Sequence, residues 1–187
     1  MATVLGILGG MLIGSSNLLD RALTPFLDFF RAVPPPALVP ALGLLLGPTL
    51  LSSVTIVVLA IVWPILLNTV TGIRTIPAVR KEMARTLGLT PVERLTKVIF
   101  PSLGPNIMTG LRISVSMSLI VTLVTDIIGT GRGLGRLLVD QQQFFESASV
   151  WGLLVVIGAF GYLINVLFGL FETAIFSRWP EGARPVG

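Results

Sequence analysis

Between Arg31 and Arg74 the sequence runs for 42 residues without one Asp, Glu, Lys or Arg. Soluble domains average about one charged residue in four, so a run this long has no place on a wetted surface. It is long enough for two helices of ~20 residues, the length that crosses a ~30 Å hydrocarbon layer. Composition agrees, with 53% of the 187 residues hydrophobic and 12% charged. A small water-soluble fold exposes too much surface to hide that apolar fraction. The chain has neither Cys nor His. That removes disulfide frameworks, Cys/His zinc sites, thiol nucleophiles and histidine bases. The net charge of +4, from 13 basic and 9 acidic residues, reads as basic loops on the inner face of a membrane and not as nucleic-acid binding.

The sparse charges delimit the spans. Residues 1–19 carry none before Asp20, and they read as a span cut short at its start. They lack the basic n-region and cleavage site of a signal peptide. Within the 42-residue run, Pro34, Pro35 and Pro36 mark an entry and Gly47-Pro48 a turn. This predicts a short span over 35–47 and a full one over 50–71, kinked at Pro64 with Asn68 one turn later. Residues 105–128, interrupted by Arg112 and Asp126, make another. The 25 uncharged residues between Glu146 and Glu172 make the last. No window alternates with period two, which disfavours a β-barrel. The expectation is an all-α integral membrane protein, a single domain over 1–187 with about five spans.

Orientation follows from the basic residues. The 72–104 loop holds Arg74, Arg80, Lys81, Arg85, Arg94 and Lys97 against Glu82 and Glu93, and the tail carries Arg178 and Arg184. Basic loops stay inside, which places 129–149 outside and starts the chain outside. The 72–104 loop is also patterned. Ile76-Pro77 opens it, and Ala78 to Leu87 are good helix formers that Gly88 can stop. Thr90-Pro91-Val92-Glu93 reads as an N-cap, a first-position proline and an acidic N3 residue. A second helix is expected from there to Pro101. Two short helices hinged at Gly88, with Leu87 and Leu89 turned outward, suit either a groove on another protein or a lipid surface.

Glu82-Met83-Ala84, three residues, Gly88, nine residues, then Val98-Ile99-Phe100-Pro101 resembles the Glu-Ala-Ala loop of ABC importer permeases. Met83, Val98 and Phe100 depart from the pattern and keep its apolar character. The run Glu82-Met-Ala-Arg-Thr-Leu-Gly88 is similar to the nitrate/sulfonate/taurine subfamily. So are Gly110-Leu111-Arg112, Gly131-Arg-Gly-Leu-Gly135 and the closing Glu172…Arg178-Trp179. The resemblance implies the transmembrane domain of a type I importer in a bacterial inner membrane. It implies a permease subunit paired with a second copy as a homodimer, two cytoplasmic ATPase subunits and an external solute-binding protein. Its coupling loop would lie at about 74–101, with Glu82, Met83, Ala84, Arg85, Thr86, Leu87, Gly88 and Pro101 as the residues engaged with the ATPase. The family usually has six spans, which implies that its first helix lies outside these residues, through truncation or a start misplaced at Met1.

ATP would be bound by the partner subunit, since the chain has no G-x-x-x-x-G-K-[ST] loop and is expected to carry no cofactor, metal or catalytic residue. Charges inside a span cost roughly 2.5–3.5 kcal/mol at mid-bilayer, so each needs a reason. At ~1.5 Å per residue from Pro105, Arg112 lies about 10 Å in and Asp126 about 30 Å along. Arg112 either snorkels to the inner interface or lines a path for an anionic solute. Asp126 either ends the helix at the outer interface or shapes an outer gate. Asn68 is a third candidate for the path. Two rival classes have signatures of their own. A membrane enzyme would need H-E-x-x-H, G-x-S-x-G or paired carboxylates, and a secondary transporter or channel would show inverted repeats and midplane ligands. Neither signature is present in the sequence.

Overall fold

The computed structural model describes residues 1–130 and 132–176; Gly131, Arg178, Trp179 and Arg184 lie outside them. Every regular element among these residues is helical. The helices are α1 (Ala2–Ser15), α2 (Asn17–Ala32), α3 (Leu38–Leu46), α4 (Leu50–Thr75), α5 (Ala78–Thr86), α6 (Pro91–Arg94), α7 (Phe100–Thr125), α8 (Leu134–Gln143) and α9 (Ser147–Phe176).

The bundle is organised around α4. Gly6, Gly10 and Gly14, one turn apart on α1, face Ile65, Thr69 and Ile73 of α4 in the same order, so the two helices run parallel. A Cβ at Gly10 would stand 2.6 Å from that of Thr69. Only glycine lets the backbones meet this closely, and in lipid such van der Waals contact is what associates helices. On its other side, α4 meets Gly110 of α7, whose Cβ would lie 3.0 Å from the Ile65 Cα. Two apolar clusters fill the seams. Val39, Ile56, Ala60 and Val121 form one near the α3 end, and Ile73, Ile76, Leu103 and Ile107 form the other at the basic-loop end.

Three helices are long and apolar enough to cross a membrane: 50–75, 91–128 and 147–175. α1 is a shorter apolar helix, and Leu18–Phe30 with Pro35–Leu46 form a pair bent by 72° that can serve as one broken span. This changes the expectation for 35–47. α3 has nine residues, ~14 Å of rise, and cannot cross alone. Its partner α2 is strongly amphipathic, which hid it among the charges Asp20, Arg21, Asp28 and Arg31. Pro34–Pro36 mark the elbow between α2 and α3. Gly47, at φ +72°, makes the expected turn.

A second difference lies at Pro101. The helix beginning at Pro91 does not end there but continues to Ile128. A π-helical turn at Leu95–Ile99 precedes the proline. The widened turn removes the need for the hydrogen bond that Pro101, lacking an N–H, cannot donate. At ~1.5 Å per residue the 38-residue helix is ~57 Å long, so its first turns project beyond any ~30 Å hydrocarbon layer.

Candidate functional site

The basic loop is built from local signals that the structure satisfies one by one. α5 ends in a reversal in which the Gly88 N–H donates to Arg85 O at 2.9 Å and the Leu89 N–H to Ala84 O at 3.2 Å. These two bonds define a Schellman turn, which needs a left-handed residue where Gly88 sits. Gly88 has φ +66° and open space around its Cα. Thr90 then caps α6. Its N–H donates to Glu93 Oε2 at 3.0 Å and its hydroxyl accepts from the Glu93 N–H at 3.3 Å. Lys97 Nζ donates to Glu93 Oε1 at 2.9 Å. The Lys97 hydrogen bond first, and then those from Thr90, lower the Glu93 pKa to about 2.

α5 is tied to both long helices. Arg80 Nη1 donates to Ser102 Oγ of α7 at 2.9 Å, and Lys81 Nζ donates to Ile73 O of α4 at 3.2 Å. Ala84 is buried, at 2% exposure, where α5 approaches the body. A neighbouring stripe, about 100° round the helix from Ala84, stands in solvent: Val79, Met83 and the C-cap Leu87, one turn apart, are 65%, 60% and 72% exposed. Glu82, Arg85 and Thr86 are exposed beside them, and Leu89 is half-buried. Sequence reasoning missed Val79, although the i, i+4, i+8 spacing with Met83 and Leu87 carried the signal. Pro101 sits a full helix away, half-buried in the first turn of α7.

The three intramembrane candidates are not brought together. Asn68 donates its amide to Pro64 O at 2.8 Å and lines a cavity of about 660 Å³ beside the elbow of α2 and α3. Arg112 is ion-paired with Glu172 of α9. The carboxylate is buried and the guanidinium largely exposed. Sequence reasoning weighed Arg112 without this partner, which lies 60 positions away. Asp126 lines a different cavity, of about 680 Å³, with Thr49, Ser53, Thr122, Arg132 and Gly133. Gly133, at φ +97°, packs against the Asp126 carboxylate, and Gly135 packs against Leu123 O. Trp63 is a packing aromatic, stacked on Phe30 with ring centroids 4.9 Å apart.

Comparison with known proteins bears on the whole assembly. The family model described as binding-protein-dependent transport system inner membrane component matches residues 2–179. The nitrate import permease protein of Leptolyngbya laminosa is 30% identical over 94% of the chain and 63% of its own length. The bicarbonate transport system permease protein of a Synechocystis strain is 32% identical over 88% of the chain and 59% of its own. A Bacillus subtilis protein named as a putative aliphatic sulfonates transport permease is 30% identical over 94% and 63%. The chain thus spans about three-fifths of the length of the curated relatives it matches. Among solved structures, the methionine ABC transporter in an inward-facing conformation superposes with a TM-score of 0.67 at 18% identity, covering 93% of this chain and 91% of that one. The helical arrangement is therefore shared with an ABC transporter's membrane domain.

Proposed function

Since this chain belongs to the family of binding-protein-dependent transport system inner membrane components, we propose that it is the permease subunit of an ATP-driven importer for a small oxyanion-bearing solute, coupled to a cytoplasmic ATPase through α5. The observation that carries the proposal is the two-sided build of α5. One side is fastened to α4 by Lys81 and to α7 by Arg80, so a displacement of α5 is passed to both spans. The neighbouring side offers Val79, Met83 and Leu87 to solvent, an apolar stripe of the kind that fills a groove. Glu82, Ala84, Arg85, Thr86 and the Gly88 turn complete the coupling segment, and Pro101 starts the helix that receives the motion.

In this reading the chain binds no ATP; the ATPase subunits do. A solute-binding protein delivers the solute from outside to a homodimer of permease chains in the inner membrane. Nitrate, bicarbonate and aliphatic sulfonates, named for the relatives, bound the solute class. Arg112, Asp126 and Asn68 are assigned to the translocation path on their polarity within spans.

The test is a charge placed in the apolar stripe. Met83→Asp should leave membrane insertion intact, because Met83 is 60% exposed, yet cost co-purification of the ATPase subunit and ATP-driven uptake. Aspartate would have to be desolvated in the groove without a partner. Normal co-purification of Met83→Asp with its ATPase would remove α5 from the interface.

A further inference from the structure

α9 meets α7 along a polar seam. Leu119, Ser116 and Arg112 of α7 meet Gly161, Asn165 and Glu172 of α9 in that order, so the two helices run antiparallel. Ser116 Oγ donates to Asn165 Oδ1 at 3.1 Å, and Arg112 is ion-paired with Glu172. The seam lies deep in the span. Ser114, between Arg112 and Ser116, donates its hydroxyl to Ile61 O of α4 at 2.9 Å. Ile61 is ~17 Å and ~21 Å from the two ends of α4. Tyr162 stands at the middle of the 30-residue α9.

Both helices carry their polarity on one edge of this seam. On α7, Arg112 and Ser116 are exposed one turn apart. On α9, Tyr162, Asn165 and Thr173 share a helix face and are exposed as well. Leu163, Leu167 and Leu170 mark the next face of α9, about 100° round, and are 52%, 56% and 62% exposed. That second face suits acyl chains. The first does not, because polar side chains at such depth turn to protein or to a water-filled cavity. Tyr162 is 74% exposed, and its hydroxyl has no hydrogen-bond partner among the described residues. The guanidinium of Arg112 carries five N–H donors, and its side chain stays 61% exposed although Glu172 takes one end. Dry packing against a second copy would leave those donors and the Tyr162 hydroxyl unmet. Water meets them all.

Resting on the permease reading, we infer that this edge of the α7–α9 seam is a wall of a water-filled path. Ser116, Tyr162 and Asn165 are wetted on it, and Glu172 is the positioning residue that holds the Arg112 guanidinium there.

The experiment uses the assembled transporter in lipid nanodiscs, where both membrane faces are open to reagent. These 187 residues contain no Cys, so an introduced cysteine stands alone in them. Charged methanethiosulfonates attack the thiolate, which apolar surroundings suppress. Tyr162→Cys and Asn165→Cys should be modified in the resting or the vanadate-trapped state, and Leu163→Cys and Leu167→Cys in neither. Protection of the first two in both states would overturn the inference. So would oxidative cross-linking of Tyr162→Cys between two copies without modification, since it would assign the face to a dry interface. The charge of the wall is read at Ser116→Cys, one turn from Arg112, as the ratio of anionic to cationic reagent rates. Arg112→Gln should lower that ratio about fivefold. Glu172→Ala should lower it too, because a released guanidinium snorkels toward the inner interface, and Glu172→Asp should restore it. A ratio unchanged or raised in Glu172→Ala would remove the positioning role. Uptake by the full transporter separates the two claims. ATP-driven uptake with a protected wall keeps the permease reading and removes this one; a modified wall without ATP-driven uptake does the opposite.

Discussion

The chain reverses through a left-handed glycine on each side of α7, and the two turns are made on different terms. At Gly88, φ is +66° and no atom outside the local backbone lies within 4 Å of where a Cβ would stand. The requirement there is conformational alone. At Gly133, φ is +97° and the same position is occupied by the Asp126 carboxylate. Two residues on, a Cβ at Gly135 would meet Leu123 O and lie 2.9 Å from the Asp126 Cβ. That turn is shaped and also packed. The first is a turn whose own glycine has open space around it, although the helix before it is held to α4 and α7. The second is a clasp that closes the loop onto the end of α7, and it cannot move without moving Asp126.

Substitutions can separate hinge from clasp. The largest effect is expected for Gly135→Val, which drives a branched side chain into a backbone carbonyl. Overpacking of this kind costs typically 1–3 kcal/mol and more where backbone must shift. Thermal unfolding in detergent should show a Tm several degrees lower with a reduced monodisperse fraction, and an unaltered Tm would show that the far loop is not packed as described. Next in size is the contrast between Gly133→Ala and Gly88→Ala. Gly88→Ala carries left-handed strain of about 1–2 kcal/mol; Gly133→Ala, at φ +97° and ψ −175°, carries about 1–3 kcal/mol and also displaces Asp126. Asp126→Ala should therefore recover part of the Gly133→Ala loss and none of the Gly88→Ala loss. In the assembled transporter Gly88→Ala should lower uptake more than it lowers Tm, whereas Gly88→Asn, which tolerates this conformation, should retain both. Equal rescue of the two alanine variants by Asp126→Ala would merge hinge and clasp into one class.

The smallest effect concerns the cap beyond the hinge. Glu93 is held near pKa 2 against an ordinary 4.5, a carboxylate stabilised by the fold. Its contribution is fully present above the ordinary value and is lost as pH falls from about 4.5 through about 2. Lys97→Met should return the Glu93 carboxyl toward its ordinary range in a ¹³C titration, because Lys97 is the leading cause of the shift. The clasp should be indifferent to that variant.

How far the molecule was legible in advance tracks the distance over which each feature is decided. The Gly88 turn closes through bonds to Arg85 and Ala84, and the Thr90–Glu93 box through residues three apart. Both were read correctly, since the chemistry and its partner share one short window. The uncharged stretches 50–71 and 147–171, and the stretch 105–128 interrupted by Arg112 and Asp126, fall inside helices long enough to span, because lipid imposes a length and a polarity on any segment that crosses it. The helix before the elbow was missed because a tally of charges along α2 cannot show that Asp20, Arg21, Asp28 and Arg31 recur on one side of a helix.

The sequence by itself determined the membrane solvent, the helical class and the short-range turns at Gly88 and Thr90–Glu93, all set by local composition and by spacings of a few residues. Tertiary structure alone decided that Arg112 answers to Glu172, that Arg80 reaches Ser102 and that Gly10 is held against Thr69. It also decided that Pro34–Pro36 stand at a 72° bend between α2 and α3. These partners lie 22 to 60 positions apart in the chain. A contact at that separation is chosen by which helix faces fit closely enough to exclude lipid and satisfy every buried polar group. Neither side of such a contact carries that fit in its own short stretch of sequence.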